Sequence, residues 1–96
     1  MSVQFGWDRR KAASNLRKHG VSFNEATTVF RDRLATIFDD EAHSDREYRE
    51  IIIGHSTRDR LLLVCFAEEV DNMVRIISAR LATKMEREDY EENRGI

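Results

Sequence analysis

The chain contains 96 residues, of which 41% are apolar and 35% are charged, and its formal net charge at pH 7 is −2. This length suits one domain, residues 1–96, and the acidic balance argues against a protein whose whole surface grips nucleic acid. No apolar run is long enough to cross a bilayer and residues 1–7 lack a signal-peptide pattern, so we expect a cytoplasmic protein without membrane contact. The single cysteine, Cys65, excludes an intrachain disulfide.

The first third of the chain predicts one strand and two helices. Residues 3–7 have the aromatic and β-branched composition of a short strand. Asp8 is a suitable N-cap for a helix that ends at His19, just before a glycine. Ser22 begins a capping box, and the apolar residues that follow recur at helical spacing as far as Phe30. This second helix is therefore expected to bury one face against a sheet.

The remainder of the chain predicts a sheet followed by a helix. The apolar and β-branched segments that indicate strands are residues 34–38, 47–54, 60–67 and 73–79. The connections between the last three are too short for parallel crossovers, which favours an antiparallel meander. Thr83 and Glu86 form a second capping box, so a C-terminal helix should extend to about Asn93. We predict an α+β fold with a small antiparallel sheet of about four strands, two N-terminal helices and one C-terminal helix.

The last predicted strand contains the sequence RIISAR at residues 75–80. In a regular strand the side chains of Arg75 and Arg80 point to opposite faces, because successive residues alternate. Arg80 lies where the strand should end, so its guanidinium can turn toward that of Arg75, and two planar guanidinium groups suit a phosphodiester. Alternation also places Arg49 on the same face as its apolar neighbour Ile51. The alternative is that these arginines only solubilise a half-exposed sheet.

The first predicted helix carries a polar stripe. Lys11, Asn15 and Lys18 lie at i, i+4 and i+7, and His19 follows at the end of the helix. The stripe is either a phosphate-binding surface or an ordinary solvated face, in which case His19 is a cation favoured by the helix dipole.

An acidic connection is predicted at residues 39–45, with two adjacent carboxylates and His43. Hard oxygen ligands of this kind can bind a divalent metal, but acidic loops are usually only solvated. The three histidines are scattered and lack paired thiolates, which argues against structural zinc. We therefore expect neither a metal nor another cofactor.

Several motifs follow one another along the chain: WD at residues 7–8, KHGVSF at 18–23, ExR at 47–49 and RIISAR at 75–80. Together they resemble the BrnT family, the toxin halves of bacterial type II toxin–antitoxin systems. The resemblance extends over nearly the whole chain and implies a RelE-like fold and a ribonuclease that inhibits translation. It also implies a BrnA-type antitoxin whose ribbon-helix-helix domain binds operator DNA. The expected assembly is a heterotetramer of two toxins on an antitoxin dimer.

Within that resemblance, the candidate residues acquire roles in RNA cleavage. Metal-independent cleavage uses the 2′-hydroxyl as nucleophile, so the protein must position the backbone, transfer protons and stabilise negative charge. Histidine is the side chain best suited to proton transfer near neutral pH, and arginine to the charge. The expected catalytic residues are Arg75, Arg80, Arg49, His19 and Lys18, and the expected RNA-binding residues are Lys11 and Asn15.

Two other functions are compatible with the same residues. The domain can be a non-catalytic interaction module that acts only within a DNA-binding repressor complex, with its arginines paired to acidic groups of the partner. It can also be a degenerate toxin that keeps the fold and no longer cuts RNA. In every case operator DNA is expected to be contacted only through the antitoxin.

Overall fold

The computed structural model describes residues 3–43 and 47–92. In chain order the elements are β1 (Gln4–Gly6), α1 (Arg9–His19), α2 (Phe23–Thr28), β2 (Thr36–Asp39), β3 (Glu50–His55), β4 (Leu61–Glu68), β5 (Met73–Leu81) and α3 (Lys84–Glu92). Short 3₁₀ turns follow α2 at Val29–Arg31 and β2 at Glu41–His43. The expected helix end at Asn93 and the last residues of the acidic connection, 44 and 45, lie outside the described residues. None of the described helices has the length and apolar character needed to cross a membrane.

The sheet has five strands in the order β1-β5-β4-β3-β2. The pairs β5-β4, β4-β3 and β3-β2 are antiparallel, as the short connections predicted, whereas β1 runs parallel to β5. The α+β class is confirmed, but the expectation of about four antiparallel strands was wrong. The additional strand, β1, pairs with β5, which lies about 70 residues later in the chain. Local sequence patterns do not indicate a pairing over such a distance.

The predicted helix caps are present. The Asp8 carboxylate accepts hydrogen bonds from two backbone N–H groups of the first turn of α1, at 2.8 and 3.1 Å. Gly20 ends that helix in the left-handed conformation with φ 67°, where a side chain would be strained. The Ser22 hydroxyl accepts the N–H three residues on at 3.0 Å. Thr83 and Glu86 bond each other's backbone N–H groups, which fixes the start of α3.

The core lies between one face of the sheet and the pair α1 and α2. The N-terminal helices cover this face, here called the helix face, and its buried apolar side chains are Val21, Phe23, Ala26, Val29, Ile52, Leu62, Val64, Phe66, Val74, Ile76 and Ala79. On the other face, α3 packs at one end, where Tyr90 is 2% exposed and contacts Ile53 and Leu61. We call this second side the open face, because among the described residues no further helix packs on it.

A β-bulge interrupts the pairing of β4 and β5. Cys65 lies opposite Ser78, whereas the next residue of β4 lies opposite Ile76, so Ile77 is an extra residue on β5. An extra residue reverses the alternation of side chains beyond it. The two halves of β5 therefore present residues of opposite parity to the same face.

The bulge determines where the two arginines of β5 point. Val74 and Ile76 before it and Ala79 after it all contribute to the core on the helix face. Arg75 and Arg80 consequently share the open face, although they are five positions apart and a regular strand would place them on opposite faces. The separation expected for a regular strand does not occur, because the bulge makes this strand irregular.

Candidate active site

The open face contains a cavity of about 240 Å³ over the middle of the sheet. Strands β3, β4 and β5 supply its floor, and the turn after β2 supplies part of its rim. The lining side chains are Asp40, His43, Arg49, Ile51, Leu63, Cys65, Ile77, Ser78 and Arg80. Two of the predicted arginines thus meet at one cavity, together with a histidine that we did not assign to proton transfer from the sequence.

Arg80 is held at this cavity by α3. Its Nη1 and Nη2 atoms donate to the two carboxylate oxygens of Glu86 at 2.8 and 2.9 Å, a bidentate geometry. The hydrogen bonds from Arg80, together with those from Thr83, outweigh the effect of burial and lower the pKa of Glu86 to about 2. The carboxylate is therefore charged throughout the physiological range and orients the Arg80 guanidinium.

Arg49 and Arg75 are joined by one shared carboxylate. The Nε and Nη2 atoms of Arg49 lie 3.2 and 3.1 Å from Oε2 of Glu47, and Nη2 of Arg75 donates to the other oxygen. Arg75 also donates to Glu69 at 3.3 Å. The hydrogen bonds from Arg75 and Arg49 lower the pKa of Glu47. Arg75 thus lies beside the cavity, and Glu47 links it to Arg49, which lines the cavity.

His43 is paired with a buried carboxylate. Its Nδ1 atom lies 3.1 Å from Oδ1 of Asp40, and Asp40 is only 8% exposed, whereas the His43 side chain is 66% exposed. A carboxylate only accepts hydrogen bonds, so Nδ1 carries the proton and Nε2 is the nitrogen that can accept one. The pair therefore has the geometry of an oriented acid–base group at the rim of the cavity.

Cys65 makes a further hydrogen bond to the carboxylate of this pair. Its thiol donates to Oδ2 of Asp40 at 3.4 Å. Burial, reinforced by the hydrogen bond to Asp40, raises the pKa of Cys65 to about 12. The thiol stays protonated near neutral pH, so Cys65 serves as a hydrogen-bond donor and not as a nucleophile.

The carboxylates suggested as metal ligands have other partners. Asp39 accepts a hydrogen bond from the Tyr48 hydroxyl, and Asp40 accepts from His43 and Cys65. Within residues 3–43 and 47–92, no three His, Cys, Asp or Glu side chains are grouped so that they could hold a metal ion.

The cationic residues predicted on α1 lie away from the cavity. Lys11, Lys18 and His19 are exposed, and α1 packs on the helix face of the sheet. The roles of these residues in catalysis and RNA binding stay predictions. Nothing in the sequence indicated that the helix and the arginines would occupy opposite sides, because the placement follows from how the sheet is assembled.

Asn15 is buried between α1 and β5. Its Nδ2 atom donates to the carbonyl oxygens of Ala79 at 2.7 Å and Val21 at 3.0 Å, and its Oδ1 atom accepts the Ala79 N–H at 3.1 Å. The side-chain amide thus behaves as an additional peptide unit beside β5. That Asn15 binds RNA stays a prediction, and we do not include it in the site proposed below.

The fold and the cavity together define a class: a small α+β protein whose open sheet face carries arginines and an acid–base pair. The family described as "Ribonuclease toxin, BrnT, of type II toxin-antitoxin system" matches residues 7–86. The chain therefore belongs to the BrnT family of ribonuclease toxins, which confirms the resemblance seen in its motifs. Membership of a type II system implies an antitoxin partner.

A solved structure has the same fold. The ribonuclease toxin BrnT of Brucella abortus is 24% identical, with a TM-score of 0.68, and the alignment covers 86% of this chain and 100% of that one. A search among curated proteins found no match.

Proposed function

We propose that this chain is an endoribonuclease that cleaves RNA at the cavity of the open face without a metal ion. One observation carries the proposal: Arg49, Arg80 and the Asp40–His43 pair line a single cavity. The family description supports ribonuclease activity in general, and the assignment of these residues is ours. His43 takes the proton-transfer role that the sequence suggested for His19.

The chemistry follows from these groups. The 2′-oxygen of a ribose attacks the adjacent phosphorus, and Nε2 of His43 accepts the proton that the hydroxyl loses. The bond to the 5′-oxygen of the next nucleotide breaks, and that oxygen takes up a proton from the protonated imidazole or from water. The products are a 2′,3′-cyclic phosphate and a 5′-hydroxyl. Asp40 acts on the reaction only through His43, by holding its ring and stabilising the imidazolium.

The arginines supply stabilisation of charge. Negative charge accumulates on the phosphate oxygens in the transition state, and Arg49 and Arg80 present planar N–H donors to the space that the phosphate would occupy. Arg75 adds positive charge beside them. All three are ion-paired with Glu47 or Glu86, so a bound phosphate would compete with these carboxylates for the same N–H donors.

In the cell, we propose that this cleavage inhibits translation and that a BrnA-type antitoxin neutralises it. The antitoxin would contribute a ribbon-helix-helix domain, and two toxins would assemble on an antitoxin dimer as a heterotetramer. Operator DNA would be contacted through the antitoxin alone. The net charge of −2 agrees with DNA binding by the antitoxin alone, because it gives this chain little general affinity for DNA.

The direct test is cleavage of a defined RNA by the purified chain in the presence of EDTA. We expect 2′,3′-cyclic phosphate and 5′-hydroxyl ends from the wild type. His43→Ala should be slower by about 100-fold or more, the usual loss for a general acid or base. Arg49→Ala should lose about 100-fold or more as well, through the lost charge stabilisation.

His19→Ala is the matched control, since it removes the other candidate histidine from an exposed position. It should cleave within about twofold of the wild type, because His19 does not line the cavity. If His43→Ala is fully active while His19→Ala is inactive, the site lies elsewhere. Unchanged melting temperatures would show that the variants are folded.

A second candidate is the non-catalytic interaction module. It is favoured by the ion pairs that Arg49, Arg75 and Arg80 already make with carboxylates of their own chain. Under this alternative the soluble, folded wild type leaves RNA intact, yet increases the affinity of the antitoxin for its operator. Measuring RNA integrity and operator binding on the same preparation separates the two functions.

A further inference from the structure

A groove crosses the helix face along the end of the sheet that α2 leaves uncovered. Its volume is about 570 Å³. Residues from all five strands line it, and the turn after α2 forms the opposite wall through Phe30 and Arg31. Four strand spacings correspond to a length of about 20 Å. That length accommodates roughly 13 residues of helix.

The groove is mainly apolar. The ring of Phe30 packs against those of Phe5, in a tilted arrangement, and Phe66, edge to face, with centroid distances of 5.1 and 5.0 Å. At the two edges of the sheet, Val3 is 52% exposed and Ile37 is 51% exposed. Contiguous apolar surface of this kind marks an interaction site more often than an ordinary solvated surface.

Two carboxylates stand side by side in this apolar setting. Glu50 lies opposite Phe66 in the pairing of β3 and β4, and Glu68 follows two residues later on the same face. One carboxyl oxygen of Glu50 is buried and has no hydrogen-bond partner among the described residues. Burial, and then the neighbouring Glu68 and Asp39, raise the pKa of Glu50, with no opposing contribution from a cation.

Such an arrangement is unfavourable in the free chain. A buried polar atom without a partner loses solvation that nothing restores. The two carboxyl groups can hydrogen-bond each other only when one of them holds a proton, and this raises the pKa of Glu50 further. A lysine or arginine from outside would correct both defects at once. Charge complementarity therefore requires that the ligand of the groove carry a lysine or arginine.

We propose that the groove binds a segment of the antitoxin that presents a lysine or arginine between apolar side chains, so that the cation meets Glu50 and Glu68. This inference rests on the assignment of the chain as a toxin, because the occupant is the partner that a type II system implies. The groove and the catalytic cavity lie on opposite faces of the sheet. The segment would therefore anchor the antitoxin without entering the cavity.

The test is titration of the wild type and of Glu50→Gln/Glu68→Gln with the purified antitoxin of the same system. Affinity should fall by about tenfold or more in the double variant, because the incoming cation loses its partners. Free double variant should melt at the same temperature as the wild type or higher, since the repulsion is removed. Its RNA cleavage should be unchanged.

Glu88→Gln/Glu91→Gln is the matched control, because it makes the same change in net charge at exposed positions of α3. It should bind the antitoxin as the wild type does. Ile37→Lys, at an exposed position of β2, provides a second test and should also weaken binding, since it removes apolar contact and places a competing cation at the groove.

Unchanged affinity in both Glu50→Gln/Glu68→Gln and Ile37→Lys would overturn the proposal, as would a wild type that binds no antitoxin. The proposed nuclease is tested separately by the cleavage assay. A wild type that cuts RNA and binds antitoxin independently of Glu50, Glu68 and Ile37 would refute only the groove.

Discussion

The side chain of Asn15 connects α1 to β5. Its amide makes three hydrogen bonds to backbone groups of Ala79 and Val21, all of them buried. Replacing it by alanine leaves those groups unsatisfied, so Asn15→Ala should lower the free energy of unfolding by about 3 kcal/mol. Urea denaturation measures this loss.

Lys11→Ala, one turn earlier on the same helix, is the comparison, because Lys11 is exposed. Its free energy of unfolding should stay within about 0.5 kcal/mol of the wild type. Equal stability of Asn15→Ala and Lys11→Ala would mean that the buried hydrogen bonds contribute nothing to the free energy of unfolding. It would then favour the prediction that Asn15 binds RNA.

The arginines of the proposed site could be nominated from the sequence, whereas the Asp40–His43 pair could not. A β-branched strand with Arg75 and Arg80 indicates a sheet that carries cations, whatever the rest of the fold. Asp40 and His43 have a spacing of three residues, which places their side chains together when the segment forms a helical turn, as the 3₁₀ turn Glu41–His43 does here. In an extended loop the same residues would point apart, so the sequence alone left His43 as one of several histidines.

At the scale of elements, α3 is held by the packing of Tyr90 on Ile53 and Leu61 and by a polar contact near each of its ends. Glu86 binds Arg80 in its first turn, and near its end the Tyr90 hydroxyl donates to Asp32 at 2.8 Å. Because the pKa of Glu86 falls from 4.5 to about 2 on folding, its contribution to stability is complete above pH 4.5 and is lost as the pH falls toward 2.

The difference in unfolding free energy between the wild type and Glu86→Gln should accordingly be constant above about pH 4.5 and shrink at lower pH. Urea denaturation at several pH values measures it. Glu88→Gln on the exposed side of the same helix should show no such pH-dependent difference that favours the wild type. A Glu86→Gln difference that grows on acidification would contradict the proposed role of the pair.

The bulge in β5 is the element-scale feature that sequence patterns missed. The run Val74, Arg75, Ile76, Ile77 contains apolar residues at both parities, so alternation cannot tell which isoleucine is the extra one. Only the register against β4 identifies Ile77. The convergence of the arginines on one face follows from that single inserted residue.

At the scale of the whole molecule, positive charge is divided between two sides of the sheet. The cavity arginines lie on the open face, and the exposed lysines of α1 lie on the side of the helix face. Lys11→Ala/Lys18→Ala should therefore weaken RNA binding by a modest factor, about two- to tenfold at low salt, and lose that difference as salt rises. The positions of cleavage should not change, because neither lysine reaches the cavity.

Binding of a labelled RNA at several salt concentrations, with mapping of the cut ends, checks this prediction. Arg9→Ala/Arg10→Ala removes the same charge from the start of α1 and serves as the comparison. A changed cleavage pattern in Lys11→Ala/Lys18→Ala would place α1 at the reacting phosphate after all.

The meander and its capped helices were predictable because each depends on neighbours in sequence: short connections, a glycine stop and capping boxes. The parallel pairing of β1 with β5 depends on the whole chain having folded back to its start. The placement of the α1 lysines and the arginines on different sides of the sheet also depends on the folding of the whole chain. Long-range assembly therefore decided which predicted residues came together, although the local elements were identified correctly.

The three-residue strand β1 covers only the first part of β5. Beyond it, the outward N–H and C=O groups of Ala79 would be an exposed sheet edge, which is a template for the strands of other molecules. Asn15 occupies both groups with its side-chain amide. One buried asparagine thus protects the strand that carries Arg80 from edge-to-edge association and aggregation.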